Sequence, residues 1–216
     1  MRPGTELEGT IDVVNEGSAS VTYTVGFKDL SVHPNRSAAW IKLDTKSIEL
    51  GASGRESIAY TISVPETATG EFHGRLSFAE GDQQRASGMV GIQTQISVPI
   101  FVVVQGTELY SIEIVSFRLK THRMSQAEVV LRNTGNVHLR AKGECEIRLR
   151  DHEEIECTFT INEQGFPVYP GQDRALSGRL PRMLDSGTYI AGLRFSMPGG
   201  QPAEKKAFVF DVKEWR

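Results

Sequence analysis

The sequence predicts an all-β protein folded as two tandem sandwiches. Three observations predict it: turn residues at short intervals, apolar residues that alternate between those turns, and an internal repeat of domain length. Of the 216 residues, 21 are Gly and 9 are Pro. Clusters such as Asn15-Glu16-Gly17-Ser18, Asn133-Thr134-Gly135-Asn136, Pro170-Gly171 and Pro198-Gly199-Gly200 leave segments too short for ordinary helices. Within these segments the apolar period is two, as in Val21, Tyr23, Val25 and Phe27, or Ile58, Tyr60, Ile62 and Val64. Cys145, Ile147 and Leu149 alternate with Glu144, Glu146 and Arg148. A helix would spread those charges round its whole circumference, including the side that must face a core.

The repeat sets the domain plan. Val64-Pro65, Gly70-Glu71-Phe72 and Leu76-Ser77-Phe78 match Leu180-Pro181, Gly187-Thr188-Tyr189 and Leu193-Arg194-Phe195, with one inserted residue. The turn after Asn15 matches the turn after Asn133, and Leu50-Gly51 matches Pro170-Gly171, so that every offset lies between 116 and 120. That length is a complete sandwich, not a solenoid unit. The boundary falls near Gln105-Gly106-Thr107, which divides the chain into residues 1–105 and 106–216. Each half is immunoglobulin-like, with about seven strands in two packed antiparallel sheets.

In the second half the strands read as Leu109–Leu119, Ser125–Asn133, His138–Arg150, Glu156–Ile161, Ala175–Leu180, Gly187–Met197 and Glu204–Val212. In the first half the opening strand is Leu7–Val14, which takes the place of a sandwich's second strand because Pro3-Gly4 leaves no room for one before it. Alternating segments follow at Val21–Phe27, Trp40–Leu43 and Ile58–Val64, and a long last strand runs from Gly88 to Val104. One strand is missing. Either an upstream segment is lost with a signal peptide, or the unpaired edge accepts a strand from another chain. Both accounts imply a larger biological unit.

Composition narrows function. Hydrophobic residues at 39% and charged ones at 24% describe a folding chain. The net charge of -3 offers no bulk field for a polyanion, so nucleic acid is not an expected partner. Residues 1–105 carry 8 basic and 12 acidic side chains, net -4, and residues 106–216 carry 16 and 15, net +1. Arg140, Lys142, Arg148 and Arg150 share one face with Glu144 and Glu146, a mixture that reads as a solvated surface rather than an anion site. The longest apolar run, Ile100 to Val104, falls far short of the roughly 18 residues of a membrane span. Residues 1–5 show no signal-peptide pattern, and the expectation is an extracytoplasmic protein whose signal segment lies outside this chain.

The asparagine turns, Trp40-Ile41-Lys42-Leu43, Ile48-Glu49-Leu50-Gly51 and Val64-Pro65 through Gly70-Glu71-Phe72 resemble bacterial extracytoplasmic immunoglobulin-like modules. That group includes pilus-chaperone-like proteins and the cell-wall proteins that partner WxL-domain surface proteins. The resemblance implies an envelope location and a protein or wall-polymer partner, and for the WxL-partner group also a membrane anchor, which this segment does not contain. Pilus chaperones hold a subunit's terminal carboxylate with a basic pair, one residue on the first and one on the last strand of domain one. Gln93 to Val104 contains no Lys or Arg, and the strand that would carry the other residue is missing.

No reactive constellation emerges. His33, His73, His122, His138 and His152 lack metal-binding spacing, and no Gly-x-Ser-x-Gly elbow accompanies them. Asp151-His152-Glu153-Glu154 reads as a solvated hairpin loop, because a calcium loop needs carboxylates at fixed alternate positions around a glycine. Two cysteines are too few for structural zinc, and no cofactor or metal is expected. With a loop at Asp151-His152-Glu153, Cys145 falls opposite Phe159 and Cys157 opposite Ile147, which leaves the thiols diagonal and reduced; a loop one residue earlier would set them face to face. Trp40 reads as a core or interdomain wedge rather than a sugar platform, and Trp215 as the stub of a longer chain.

The remaining candidate is an edge. Ile96, Val98, Ile100, Val102 and Val104 alternate, and read first as the inner face of the last strand, second as a groove for a partner. Pro99 argues for an edge position, since it cannot donate to neighbours on both sides. The candidate partner edge comprises Gly9, Ile11 and Val13 with Ile96, Val98 and Ile100. The leading functional expectation is a non-enzymatic envelope module that presents rigid sandwiches to a protein or wall polymer. The alternatives are a periplasmic chaperone-like factor that binds subunits by strand addition, and the accessory region of a larger surface enzyme; strand sharing between copies is a further form of partnership.

Overall fold

The computed structural model describes residues 1–30, 40–81, 94–122, 124–198 and 203–213. The chain divides into two units, Met1–Glu108 and Leu109–Arg216. Every regular element among the described residues is a strand, apart from a helical turn at one residue. His33, Trp215 and residues 88–93 of the expected last strand lie outside the described residues.

Unit 1 is built from β1 (Glu6–Val14), β2 (Val21–Asp29), β3 (Ile41–Leu43), β4 (Ser47–Leu50), β5 (Arg55–Ser63), β6 (Glu71–Glu80) and β7 (Gln95–Val103). One sheet has the order β1-β5-β3 and the other β4-β2-β6-β7. The period-two residues supply the core between them: Val25, Ile48, Leu50, Ile58, Leu76 and Phe78 form one buried cluster. Trp40, Ile62, Phe72, Val102 and Val104 belong to a second. Trp40 is buried in that cluster, its ring stacked on Phe72 at 4.9 Å. The two short strands β3 and β4 lie in different sheets, so the chain changes sheets over Asp44-Thr45-Lys46.

Unit 2 is built from β8 (Ile112–His122), β9 (Met124–Asn133), β10 (Gly143–Leu149), β11 (Ile155–Ile161), β12 (Asp173–Arg179), β13 (Gly187–Phe195) and β14 (Glu204–Val212). Its sheets have the orders β12-β9-β8 and β11-β10-β13-β14. A single cluster fills the space between, with Ile114, Leu131, Ile147, Ile161 and Phe195 fully buried. The expected strand from His138 begins later, at Gly143. The reason is that Leu139 exchanges both its backbone bonds with Val168, and Ala141 O accepts from the Asn162 side chain, so this stretch serves the loop instead of a sheet. The first strand likewise starts three residues late, since Leu109 and Ser111 carbonyls accept the amides of the Thr134–Asn136 turn.

The repeat is written in hydrogen bonds as well as in sequence. Asn133 donates from Nδ2 to Val137 O and Val168 O, each at 2.8 Å, while its Oδ1 accepts the Gly135 amide. Asn15 donates to Ala19 O and Gly51 O at the same 2.8 Å, and its Oδ1 accepts the Gly17 amide. Aligned on these asparagines, β1 matches β9 and β5 matches β12. Among the described residues unit 1 shows no counterpart of β8: β9 has β8 on its far side, whereas β1 has no described neighbour there.

Candidate functional site: the open edges of unit 1

The edge residues named from the sequence lie on two strands that close opposite sheets of the same sandwich. β1 ends one sheet and β7 ends the other. Ile11 and Val13 from β1 and Ile100 from β7 are half-buried and pack against the same cluster around Val25, Ile58 and Leu76. Ile96 and Val98 belong to no core cluster and are 51% and 37% exposed. The alternating stripe is therefore divided: Val102 and Val104 are core, as the inner-face reading expects, while Ile96 and Val98 meet solvent. Gly9 lies under the Tyr60 ring, where a Cβ would fall 2.5 Å from Cζ and the hydroxyl oxygen.

Unit 2 shows what this place holds when it is filled. Ala127, Val129 and Leu131, the counterparts of Gly9, Ile11 and Val13, have no exposed surface at all. Beside them β8 sets Phe117 against Phe208 at 6.2 Å and against Phe210 at 5.2 Å. By pairing, Phe208 and Phe210 correspond to Ile100 and Val102, and Lys206 and Glu204 to Val98 and Ile96. Lys206 donates to Ile114 O at 2.7 Å. Unit 1 has apolar side chains where unit 2 has charged ones, and no strand above them among the described residues.

Backbone polarity separates the two edges. Val64 N–H donates to Thr5 O and Asn15 N–H to Gly54 O. With the register Leu7↔Ile62 through Val13↔Glu56, the odd-numbered residues of β1 bond to β5. Glu6, Glu8, Thr10, Asp12 and Val14 then turn their N–H and C=O groups to the outer side. On β7 the Val104 amide donates to Gly70 O, so the odd-numbered residues turn outward. That outward set includes Pro99, which has no N–H, and Val103, whose carbonyl already accepts from the Met1 ammonium at 2.7 Å. The proline thus sits where its missing donor costs the sheet nothing.

The other sequence-derived candidates stay apart. His73 is buried and stacked on Phe101 at 5.5 Å, His138 lies against Tyr169 at 6.2 Å, and His152 is exposed in the turn after β10. Among the described residues no three His, Cys, Asp or Glu side chains gather where a metal could bind. Arg140 and Arg148 donate to the carbonyls of Gly165 and His152, so half of the basic quartet on β10 and its flanks holds loops in place. Cys145 pairs across from Phe159 and Cys157 from Ile147, the diagonal register, and both thiols are free and buried.

Burial pushes the Cys145 thiol up to about 12, with the neighbouring Cys157 adding to the shift, and burial raises Cys157 as well. Only the thiolate alkylates, and at pH 8 roughly one Cys145 in ten thousand is ionised. Iodoacetamide is expected to label neither cysteine in the native protein within an hour and both at once in denaturant. Rapid native labelling, followed by mass spectrometry, would contradict the burial.

No family model matches the chain, and no curated protein matches it in sequence. Solved structures do match its fold. A chain from the structure "Chaperone-tip adhesin complex is vital for synergistic activation of CFA/I fimbriae biogenesis" has a TM-score of 0.51 at 11% identity, with 96% of this chain and 93% of that chain covered. The class 5 fimbriae chaperone CfaA matches at 0.49 and 11%, covering 100% and 95%. The E. coli chaperone DraB matches at 0.45 and 9%, covering 99% and 93%. At 11% identity the likeness is one of fold alone: two immunoglobulin-like sandwiches in tandem.

Proposed function

We propose that this protein is a non-enzymatic, extracytoplasmic binding module of the fimbrial-chaperone type, which takes an extended segment of a partner protein by adding it as a strand to unit 1. The observation that carries this reading is the pair of open edges over one core, with Ile11 and Val13 half-buried where their counterparts in unit 2 are sealed by β8. An open edge with an apolar row beneath it is a template for pairing, since main-chain bonds supply affinity and the alternate side chains supply choice. The shared fold favours the chaperone-like alternative over simple display of loops. It is also the reason for an envelope location.

Recognition in this reading rests on the strand and not on a carboxylate clamp, because β7 carries neither Lys nor Arg. The test is amide exchange on the full chain, with and without a set of ten-residue peptides whose apolar residues alternate. Slowed exchange at outward-facing amides of β1 or β7 is the expected result. A set that slows exchange at neither edge would overturn the reading.

A further inference from the structure

We propose that the incoming strand docks on β1, in the place β8 fills in unit 2, and that it is a partner-protein segment with apolar residues at alternate positions and Lys or Arg between them. This rests on the strand-addition reading and adds to it the edge, the direction and the chemistry of the occupant.

The choice of edge follows from the backbone. β1 offers an uninterrupted outward row from Glu6 to Val14 with no proline, whereas on β7 the row is broken at Pro99 and closed at Val103 by Met1. A strand on β7 would lose a bond midway and stop before the end. A strand on β1 meets a donor and an acceptor at every second residue.

Direction and pattern follow from the repeat. β8 runs antiparallel to β9, with Ile112, Ile114, Phe117 and Leu119 paired across from Asn133, Leu131, Val129 and Ala127. Placed on β1, the same pattern would cover Val13, Ile11 and Gly9 and reach toward Ile100, where Phe117 reaches Phe208 in unit 2. At Gly9, where unit 2 has Ala127, the Tyr60 ring already takes the side-chain space, so the residue copied from Leu119 would meet that ring.

The charge pattern comes from the outward face. β1 presents Glu6, Glu8 and Asp12 on one side, in a half of the chain whose net charge is -4. Unit 2 makes a contact of this kind on the same face: Arg118 and Lys120 of β8 both bond the Glu128 carboxylate on β9. The counterpart of Glu128 on β1 is Thr10, between Glu8 and Asp12, while Asp12 is bonded to Arg55 and Ser57 and Glu6 to Ser63 of β5. Basic residues between the apolar ones would meet the acidic row in the same way.

The probe is an eleven-residue peptide copied from β8, residues 112–122, added to the full chain. Slowed exchange is expected at the Glu8, Thr10 and Asp12 amides, with binding weakened about threefold or more when the residues copied from Arg118 and Lys120 are changed to Glu. Salt should narrow that difference. Thr10→Pro removes an outward N–H that β5 does not use, so it should lower affinity at least tenfold. A melting curve within a few degrees of wild type would show the sandwich intact; if that variant unfolds, the exchange pattern and the charge-reversed peptide still decide. Protection at Ser97 in place of β1, abolished by Ser97→Pro, would overturn the inference and leave strand addition standing. Failure of this peptide while other alternating peptides bind would overturn the stated chemistry, and silence from all of them would overturn the reading beneath it. Protection of β1 amides without peptide, in a concentration-dependent dimer, would give the place to a second copy and overturn the inference.

Discussion

Replacing Asn133 by alanine is expected to cost unit 2 about 3 kcal/mol, because three bonds made by one buried side chain are lost together. The side chain has no exposed surface. Its Nδ2 serves the carbonyls of Val137 and Val168 and its Oδ1 the amide of Gly135. Alanine leaves the Val137 carbonyl buried without that partner, at about 1–3 kcal/mol, while Val168 O keeps the Leu139 amide and the Gly135 amide keeps Ser111 O, so that each of these two loses about 1 kcal/mol. Against a domain stability of about 5–15 kcal/mol this is a large share. Urea unfolding followed by hydrogen exchange should show unit 2 opening at clearly lower denaturant. Asn133→Asp tests the same point without a cavity, since a carboxylate would face two carbonyls that need donors. A loss below about 1 kcal/mol in both variants would mean the asparagine is a spectator. The same change at Asn15, which is 8% exposed, should cost less.

Gly74→Ala is the second large effect, and it acts on unit 1. A Cβ at Gly74 would lie 2.0 Å from Phe27 Cζ and 2.9 Å from Lys28 O, so the ring and the neighbouring strand must both give way. Phe27 is stacked on Phe72 at 5.9 Å, and Phe72 on Trp40, which passes the displacement into the core. Overpacking of this kind costs about 1–3 kcal/mol, and a clash that includes backbone belongs at the upper end. Gly192→Ala provides the control: it is also mid-strand, but the nearest heavy atom is Glu146 O at 3.8 Å. That variant should be neutral or slightly more stable, since alanine restricts the unfolded chain. Trp40 fluorescence during urea unfolding reports the first variant, and similar midpoints for the two would contradict the packing described.

The stability and binding predictions touch different parts of the sandwich. Asn133 and Gly74 lie within the packed sheets of their units, whereas the β1 edge has no neighbouring strand among the described residues. Strand edges left open invite unwanted pairing and are usually managed with charges or proline. β7 has its proline, and β1 has its acidic row. In the binding reading, that row also chooses the partner.

Much of this was legible in the residues. Period-two alternation fixes which side of a strand is apolar, so Val25, Ile58, Ile147 and Leu193 could be placed in a core from sequence alone. The offset of asparagine turns and glycine-aromatic steps revealed two copies. The diagonal cysteine register was one of two that the hairpin allowed, and the structure adopts it, with a register shift between Ile147 and Arg148. The stripe from Ile96 to Val104 was not resolved this way, because alternation is the same whether a strand faces a filled or an unfilled neighbour. Only the assembled sheets separate buried Val104 from exposed Ile96.

The sequence by itself determined that the protein is all-β and doubled, since these depend on local period, turn chemistry and count. Tertiary structure alone decided which edge strand keeps an unbroken outward row of amides and carbonyls among the described residues. That choice depends on hydrogen-bond parity across β1–β5 and β6–β7, and parity is set by which strands lie side by side, a relation that no local pattern of residues contains.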